Sequence, residues 1–366
     1  MRIGYSAWGF VGDGIIDSPD GGRVTRALFL EHLIKDGNEI IWLQQNRDVE
    51  NGRLLFCEEN KEKYRQENNQ QRETLCNIKY NEDFPDIDIL FVEWRWKIRG
   101  RNCNVDIDSD KYTPDLDRQN DLLAHYIKTK TKIFIWDKDE TMTFFDENYL
   151  FHGSIASNVT VFSPALYPIR HIYPRTTLHF PCDLAKIRGT KVNKEFLWVI
   201  GYIGSQYERD EQVYKYINPI VHQFSVKFVG NWLKYPEKAK HNMVNFPHII
   251  FEDRIQPKDM SKVYHQCLTS VLLCKSNYSA HGHITQRIHE TLSNGVINIG
   301  LSEQRGIENF IPKNLIVTDA YDLKNVLTEL TQMTILQRQN ILDNEIERLE
   351  PFDIHNVMKV FKEAIQ

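Results

Sequence analysis

The chain alternates short apolar runs with longer stretches in which apolar residues recur every three or four positions. Four runs in the first half have the length and apolar content of buried strands: 2–7, 39–43, 87–94 and 132–136. Helical spacing occupies residues 24–35 and 117–128 between these runs. Because strands that alternate with helices at this spacing form βαβ units, the first half predicts a parallel α/β sheet.

The alternation pauses at 164–188, which holds four prolines, and then resumes. The second half predicts strands at 196–203, 225–229, 248–251, 269–274, 296–300 and 315–318, and helices at 212–224, 258–267, 285–292 and 354–365. We therefore predict an α/β chain of two Rossmann-like domains, 1–185 and 190–345, joined by a proline-rich linker and followed by a helix within 350–366. The polar segment 48–82 predicts an exposed, partly helical excursion.

Composition narrows the class of protein. The 366 residues are 41% hydrophobic and 26% charged, which excludes a disordered, collagen-like or coiled-coil chain. No apolar stretch approaches the ~18 residues of a membrane span, so we expect no membrane partner. The N-terminus lacks an apolar signal core and the six cysteines show no regular spacing, so we expect reduced thiols in a cytosolic protein. With a net charge of −5, a nucleic-acid partner requires a local basic patch.

The segment 277–300 carries the most informative chemistry of the second half. Arg287 and Glu290 lie three residues apart and therefore on one face of the predicted helix. Arginine binds a diphosphate through two N–H groups, and a carboxylate one turn away accepts both hydroxyls of a ribose. The alternative is an ordinary ion pair on the helix surface.

A basic segment follows the strongest strand of the first half. Four positive charges and two tryptophans lie within residues 94–101, with Trp96 between cations. The basic residues are Arg95, Lys97, Arg99 and Arg101. Such a segment grips phosphates and stacks on bases. The alternative is a strand that alternates inward tryptophan with outward charge.

The motifs from about 179 to 300 resemble, in order and spacing, those of bacteriophage DNA β-glucosyltransferases, which have the GT-B fold. The matching motifs are Thr285-Arg287-Glu290-Gly295, Gly204-Ser205 followed by Arg209-Asp210, Phe228-Val229-Gly230-Asn231, Ile255 with Pro257, Asn277-Tyr278, and the segment 179–187. The resemblance implies two parallel sheets that face each other across a cleft, with the last helix packing back on the first domain. It also implies an acceptor-binding first domain and a nucleotide-sugar-binding second domain.

The resemblance implies a UDP-sugar as the donor and assigns its contacts residue by residue. Ser205, Arg209 and Arg287 correspond to diphosphate ligands, and Gly230 corresponds to the neighbouring strand end. Glu290 corresponds to the ribose ligand, Ile255 lies beside the base, and Tyr278 borders the phosphates. The family has an arginine two residues after the serine, and this chain has Tyr207 there, so one phosphate contact is in doubt.

Two aspartates after the strand 132–136 are candidates for the catalytic base. An ungapped comparison with the family strand aligns its catalytic aspartate with Asp139, and Asp137 is the rival. A carboxylate at a strand end takes the proton of an attacking hydroxyl, but such an aspartate also serves as a helix cap or turn former. The pair is also a DxD motif, so assistance by Mg or Mn stays open, with no ligand assigned.

The glycine-rich segment 9–22 follows the first strand, where the family has an acidic residue that contacts the sugar. Asp17 and Asp20, followed by Gly21 and Gly22, are the candidates on this chain for a sugar or acceptor contact. The alternative is a flexible loop, since the glycine spacing is not that of a dinucleotide site.

These observations predict a glycosyltransferase that moves a sugar from a UDP-sugar to 5-hydroxymethylcytosine in phage double-stranded DNA, with inversion. We expect a monomer in the cytoplasm of the infected bacterial host. The sugar, glucose or a pentose such as arabinose, is not readable from the chain. Two alternatives stay open: the same fold acting on a small molecule, glycan or protein, and a non-catalytic nucleotide- or DNA-binding module.

Overall fold

The structure, a computed structural model, describes residues 1–7, 23–43, 77–81, 83–99, 102–109, 112, 115–151, 156–234, 236–255 and 259–366. The chain forms two compact units. The first comprises Met1–Pro164, Pro168–Pro181 and Ile354–Gln366, and the second comprises Ala165–Tyr167 and Cys182–Asp353. Each unit is built on a parallel sheet, so the predicted α/β fold class with two Rossmann-like sheets is confirmed.

The first unit holds a seven-stranded parallel sheet in the order β3-β2-β1-β4-β5-β6-β7. Its strands are β1 Arg2–Ser6, β2 Glu39–Trp42, β3 Lys79–Tyr80, β4 Ile89–Glu93, β5 Lys132–Trp136, β6 Val159–Ser163 and β7 Arg175–Thr177. Its helices are α1 Arg23–Lys35, α2 Asp115–Tyr126, α3 Phe144–Phe151 and a C-terminal helix, Ile354–Ile365.

Alternate residues of the strands pack into two apolar layers, one on each face of this sheet. Phe91 and Phe134 belong to the layer that also contains Phe361 of the C-terminal helix, while Leu90 and Ile133 belong to the layer of α2. This is the period of two that a strand imposes on its side chains. The C-terminal helix therefore completes the core of the first unit.

The second unit holds a six-stranded parallel sheet in the order β10-β9-β8-β11-β12-β13. Its strands are β8 Trp198–Ile203, β9 Val226–Val229, β10 Ile249–Glu252, β11 Cys267–Val271, β12 Ile297–Leu301 and β13 Ile316–Val317. Its helices are α4 Leu184–Ile187, α5 Asp210–Gln212, α6 Pro236–Asn245, α7 Met260–Tyr264, α8 Ser276–His281, α9 Arg287–Leu292, α10 Ala320–Gln332 and α11 Ile335–Glu347, with a π-helical turn at Val213–Ile217 and 3-10 turns at Ile307–Asn309, Lys313–Leu315 and Glu350–Phe352.

Several predicted elements differ from the observed ones. The proline-rich segment 164–188 contains β7 and α4, and the chain passes from the first unit to the second within it, between Pro181 and Cys182. Its prolines lie outside these elements, where a missing N–H costs no ladder or helix bond. The helix predicted at 212–224 is α5 and a π-helical turn, and β11 begins two residues earlier than predicted.

Of the helices in the described ranges, none has the length and apolar character needed to cross a membrane.

Candidate functional site

The second unit carries a tight turn after β8 whose shape depends on two glycines. The Gly204 amide donates to the Val229 carbonyl oxygen at 2.9 Å, and the Trp232 indole N–H donates to the Gly204 carbonyl oxygen at 2.9 Å. Gly230 has φ +151°, and a Cβ at this position would overlap the Gly204 carbonyl oxygen. The two strand ends therefore meet backbone to backbone, which requires glycine at 230.

A cation and a hydroxyl group pack closely over Gly204, where a side chain would not fit. A Cβ on Gly204 would lie 2.5 Å from Arg287 Nη2 and 2.9 Å from Tyr202 Oη. Tyr202 Oη is buried and has no hydrogen-bond partner in the described part of the chain. The Arg287 guanidinium lies 4.5 Å from the centre of the Tyr202 ring. A charged donor and a neutral one therefore lie together beside this turn, as an anion-binding site requires.

Two predicted phosphate ligands, Arg287 and Arg209, converge on one backbone carbonyl. Arg287 Nη1 and Arg209 Nε donate to the Leu273 carbonyl oxygen at 3.2 and 3.4 Å. Arg287 Nε also donates to the Ile203 carbonyl oxygen at 3.0 Å, and Arg209 Nη1 donates to that of Ser205 at 3.1 Å. Since these acceptors are neutral, both positive charges remain available to an anion.

Glu290 lies on the first turn of α9, the helix that Arg287 begins. The Arg287 side chain is buried and donates to backbone oxygens, and among the described residues no salt bridge joins it to Glu290. The alternative of a surface ion pair is therefore wrong. Burial raises the pKa of Glu290 to about 7, although the Arg287 charge opposes the rise. The predicted ribose ligand is thus poised between its neutral and ionised forms at neutral pH.

Two other predicted donor contacts are part of apolar packing. Ile255 is partly buried against a small cluster that contains Tyr264, whose hydroxyl is buried and has no partner among the described residues. Tyr278 is buried and stacks on His283 with ring centroids 3.9 Å apart. The Tyr278 ring is therefore held in place.

The position where the resemblance expects an arginine is solvent-exposed. Tyr207 projects from the turn after Ser205, and its ring lies 5.9 Å from Lys238 Nζ. Ser205 itself is partly exposed. A cation therefore lies near the position of the missing arginine, but it comes from helix α6.

In the first unit, the two candidate bases occupy different environments in the loop after β5. The Asp137 side chain is buried, and its carboxylate accepts hydrogen bonds from the Thr141 amide at 2.9 Å and the Met142 amide at 3.0 Å. Asp139 is partly exposed. Asp137 therefore stabilises the turn after β5, which is the role that the turn-former alternative gives it. Asp139 lies within the same loop.

A small pocket surrounds the Asp137 carboxyl group. It is lined by Asp137, Glu140, Met142, Ser163, Ile169, His171 and Arg175. Burial raises the pKa of Asp137 to about 6, while the two backbone amides and Arg175 oppose the rise. This carboxyl group therefore titrates close to neutral pH.

Glu93, at the end of β4, joins three elements of the first unit. Its carboxylate accepts hydrogen bonds from Tyr5 Oη at 2.7 Å and Arg26 Nε at 2.7 Å, and it pairs with Lys138 Nζ. Burial alone would raise the pKa of Glu93, but the charges of Arg26, Lys138 and Arg95 hold it well below its usual range. Lys138 lies between the two candidate bases in the chain, so Glu93 also anchors their loop.

The predicted basic segment is divided between core and surface. Arg95 is only 6% exposed, and its main chain is clamped by Gln119, whose amide group accepts from the Arg95 N–H and donates to the Arg95 carbonyl oxygen. The prediction that Arg95 contacts DNA is corrected, because its side chain is buried and its main chain is held by Gln119. The alternating-strand alternative is also wrong, since β4 ends at Glu93. Lys97 and Arg99 are exposed, and Trp96 is partly exposed.

Several predicted site residues lie outside the described residues. They are Asp17, Asp20, Gly21, Gly22 and Arg101. Among the residues that are described, no three His, Cys, Asp or Glu side chains form a group able to hold a metal ion.

Sequence reasoning missed Tyr202, Tyr264 and Glu93. Tyr202 and Tyr264 lie within or next to apolar runs, so no local signal distinguishes them from core residues. Only the fold brings Tyr202 Oη to Gly204, or joins Glu93 to Arg26. A glutamate that ends an otherwise apolar strand was the one available hint.

These features define a chain of two Rossmann-like units with a candidate anion-binding turn at the strand ends of the second. No protein-family model matches the chain, and no curated protein sequence matches it significantly. Solved structures do match over its full length. The β-glucosyltransferase of phage T4 is 15% identical with a TM-score of 0.62, and the match covers 100% of both chains.

Two further structures bear on ligands. T4 phage β-glucosyltransferase in complex with UDP and Mn²⁺ is 16% identical, with a TM-score of 0.62 and 100% of both chains covered. An α-glucosyltransferase in complex with UDP and a 13-mer DNA containing an HMU base is 11% identical, with a TM-score of 0.62, 100% of this chain and 99% of that chain covered. The chain therefore has the fold of these DNA glucosyltransferases.

Proposed function

We propose that this protein transfers a sugar from a UDP-sugar to the hydroxymethyl group of 5-hydroxymethylcytosine in phage duplex DNA. The observation that carries the proposal is the turn around Gly204, where the Arg287 guanidinium and the Tyr202 hydroxyl come together and where Arg287 and Arg209 share the Leu273 carbonyl oxygen. The full-length likeness to structures that contain UDP-glucose or UDP with DNA supports it. The site of action would be the cytoplasm of the infected bacterium, with the enzyme as a monomer.

On the donor side, Arg287 and Arg209 would bind the diphosphate together with Ser205. Glu290 would accept the ribose hydroxyls, with Ile255 beside the uracil and Tyr278 bordering the phosphates. As the anomeric C–O bond breaks, its electron pair goes to the UDP oxygen, and the two arginines stabilise that charge. Their bonds to backbone carbonyls hold both guanidiniums in place beforehand.

On the acceptor side, Asp139 would take the proton from the attacking hydroxyl group. Its partial exposure allows contact with an acceptor, whereas both oxygens of Asp137 are engaged by backbone amides. Direct displacement by this hydroxyl inverts the anomeric carbon. Lys97 and Arg99 would contact DNA phosphates, with Trp96 near the bases.

A transfer assay tests the proposal directly. Hydroxymethylated duplex, unmodified duplex and no DNA are each incubated with UDP-glucose and UDP-pentoses. Transfer to the hydroxymethylated duplex alone is expected, and its absence with every donor would contradict the proposal. Donor binding without transfer to any acceptor would favour the binding module.

The donor site has its own test. Arg287→Ala should weaken UDP-sugar binding about 10–100-fold, because a hydrogen bond to a charged group contributes ~1.5–3 kcal/mol. Arg348→Ala is the matched control, since that arginine binds Asn344 on α11. Equal affinity in both variants, measured by calorimetry, would remove Arg287 from the site.

The burial of Arg95 favours one second candidate, sugar transfer to an acceptor other than DNA. With Arg95 buried and a net charge of −5, fewer cations face a polyanion. Sugar transfer to a small molecule, glycan or protein in the same assay would establish this alternative.

A further inference from the structure

Helix α3 carries three aromatic side chains that the fold leaves in solvent. Phe144, Phe145 and Tyr149 are 50%, 80% and 75% exposed, and the rings of Phe144 and Phe145 contact each other edge to face at 5.9 Å. Burying one such side chain stabilises a protein by ~1.5–3 kcal/mol. A cluster of exposed apolar side chains therefore indicates an interaction surface.

The start of α3 is fixed to the loop that carries the candidate bases. The Asp137 carboxylate binds the amides of Thr141 and Met142. Thr143, the residue that precedes α3, caps the helix. The Thr143 N–H and hydroxyl donate to the Asp146 carboxylate at 2.8 and 2.7 Å. An acceptor that reaches this loop therefore meets the first turn of α3.

The middle of α3 is fixed to a second segment of the first unit. Glu147 accepts hydrogen bonds from the Ile172 and Tyr173 amides at 2.7 and 2.9 Å and pairs with Arg175. Arg170, two residues before this clamp, is exposed. The aromatic face and an exposed cation thus belong to one rigid arrangement.

Further cations follow the carboxyl end of β4, the strand that pairs with β5. Strand β4 pairs with β5 so that Glu93 lies opposite Trp136, and the exposed Lys97 and Arg99 follow β4. Aromatic rings accompanied by cations are the pattern of surfaces that bind unpaired nucleic acid, because rings stack on bases while cations attract phosphates. The carboxylate of Asp146 is engaged in the helix cap, which reduces its repulsion of phosphates.

We propose that the exposed aromatic face of α3 stacks on bases of the acceptor DNA that lose their neighbours when the acceptor base leaves the duplex. The inference rests on the proposed function and extends it with a surface outside the reacting groups. Uncharged rings stack on any base, so this face supplies affinity for a distorted duplex without sequence preference. The exposed cations that would approach phosphates are Lys97 and Arg99, which follow β4, and Arg170, which lies between β6 and β7.

The test compares a double variant, Phe145→Ala with Tyr149→Ala, with a matched control, Tyr321→Ala. Tyr321 is 70% exposed on α10 of the second unit. Since each base stack is worth ~1–3 kcal/mol, the double variant should bind hydroxymethylated duplex at least about 10-fold more weakly by fluorescence anisotropy. Its affinity for UDP-sugar should not change, and the control should match the wild type in both measurements.

A conservative variant distinguishes stacking from a general loss of structure. Phe145→Tyr with Tyr149→Phe keeps both rings and should keep wild-type DNA affinity. Unchanged DNA affinity in the alanine variant, or equal loss in the conservative one, would overturn the inference while the proposed function stands. A wild-type protein that binds UDP-sugar but no DNA would overturn both, and one that binds neither would remove the donor site as well.

Discussion

Glu290 shows how one carboxyl group links donor binding to pH. Burial places its pKa near 7, and in the proposed complex it accepts two ribose hydroxyls, which requires the ionised form. Below the pKa the group is protonated in the free protein, so binding must first release a proton. Its neighbour His289 does not interfere, because burial lowers the pKa of that imidazole to about 3.

We expect the affinity for UDP-glucose to rise with pH and to level off above about 7. Below the pKa the slope should approach a tenfold change per pH unit. The ligand should be a UDP-sugar and not UDP, because the terminal phosphate of UDP titrates near pH 6 and would add its own pH dependence. Calorimetry from pH 5.5 to 8.5 measures the effect. Glu290→Gln should bind weakly and with no such slope, and a flat wild-type profile would exclude Glu290 from the ribose site.

Asp137 and Asp139 should respond differently to substitution. Asp139→Asn should abolish transfer while the melting temperature and UDP binding stay unchanged, because the side chain is partly exposed. Asp137→Ala should lower stability by about 2 kcal/mol or more, because two buried amides lose their acceptor. Thermal unfolding and the transfer assay separate the two effects. Full activity of Asp139→Asn would move the base elsewhere.

At the scale of single residues, sequence reasoning placed Arg287 on a helix and Arg209 after the turn that follows β8, but it could not foresee their partners. Both donate to the Leu273 carbonyl oxygen, a contact that only the pairing of β8 with β11 creates. Arg95 was misjudged for the same reason. Its main chain is held by Gln119 of α2, a partner 24 residues away that no window around residue 95 contains.

Among the elements, the turn between β8 and α5 depends on close contact with the end of β9. The missing Cβ of Gly230 is what lets the Gly204 carbonyl oxygen approach. Displacing this carbonyl would also disturb its hydrogen bond from Trp232. The turn and the neighbouring strand end therefore act as one unit.

Gly230→Ala should weaken UDP-sugar binding at least about tenfold and lower stability, since φ is positive and the backbone must move. Gly189→Ala is the control, because Gly189 also has a positive φ but nothing lies within 4 Å of its Cβ position. The control should lose about 1 kcal/mol of stability and keep its affinity. Equal affinities in the two variants would show that the turn does not hold the nucleotide.

Element prediction succeeded where periodicity was strong. Strand β5 has the predicted bounds, Lys132–Trp136. A short apolar run between polar neighbours can be buried in a sheet only as a strand of that length. Helices α10 and α11 were missed, although their caps at Asp319 and Thr334 are regular. The elements β7 and α4 in 164–188 were missed, because a proline is read as a break even when it only flanks an element.

At the scale of the whole molecule, a net charge of −5 limits how DNA is held. Among the described residues of the proposed DNA surface, the exposed cations are Lys97, Arg99 and Arg170. Long-range attraction is therefore weak, and short-range contacts must supply most of the affinity.

The salt dependence of DNA binding should be shallow as a result. Three phosphate contacts give a slope of log K against log salt of about −3. Anisotropy titrations between 50 and 300 mM salt measure it, with Lys97→Ala expected to reduce the slope by about one. A slope much steeper than this would place additional cations in the interface.

The C-terminal helix, Ile354–Ile365, also determines when the first unit can finish folding during synthesis. Its Phe361 packs on Phe29, Phe91 and Phe134, yet about 190 residues of chain separate it from Pro164, where the first long segment of that unit ends. At ~5–20 residues per second, the ribosome needs roughly 10–40 s to synthesise them. During that time the second unit emerges whole, while the first exposes an apolar sheet face that chaperones would have to shield.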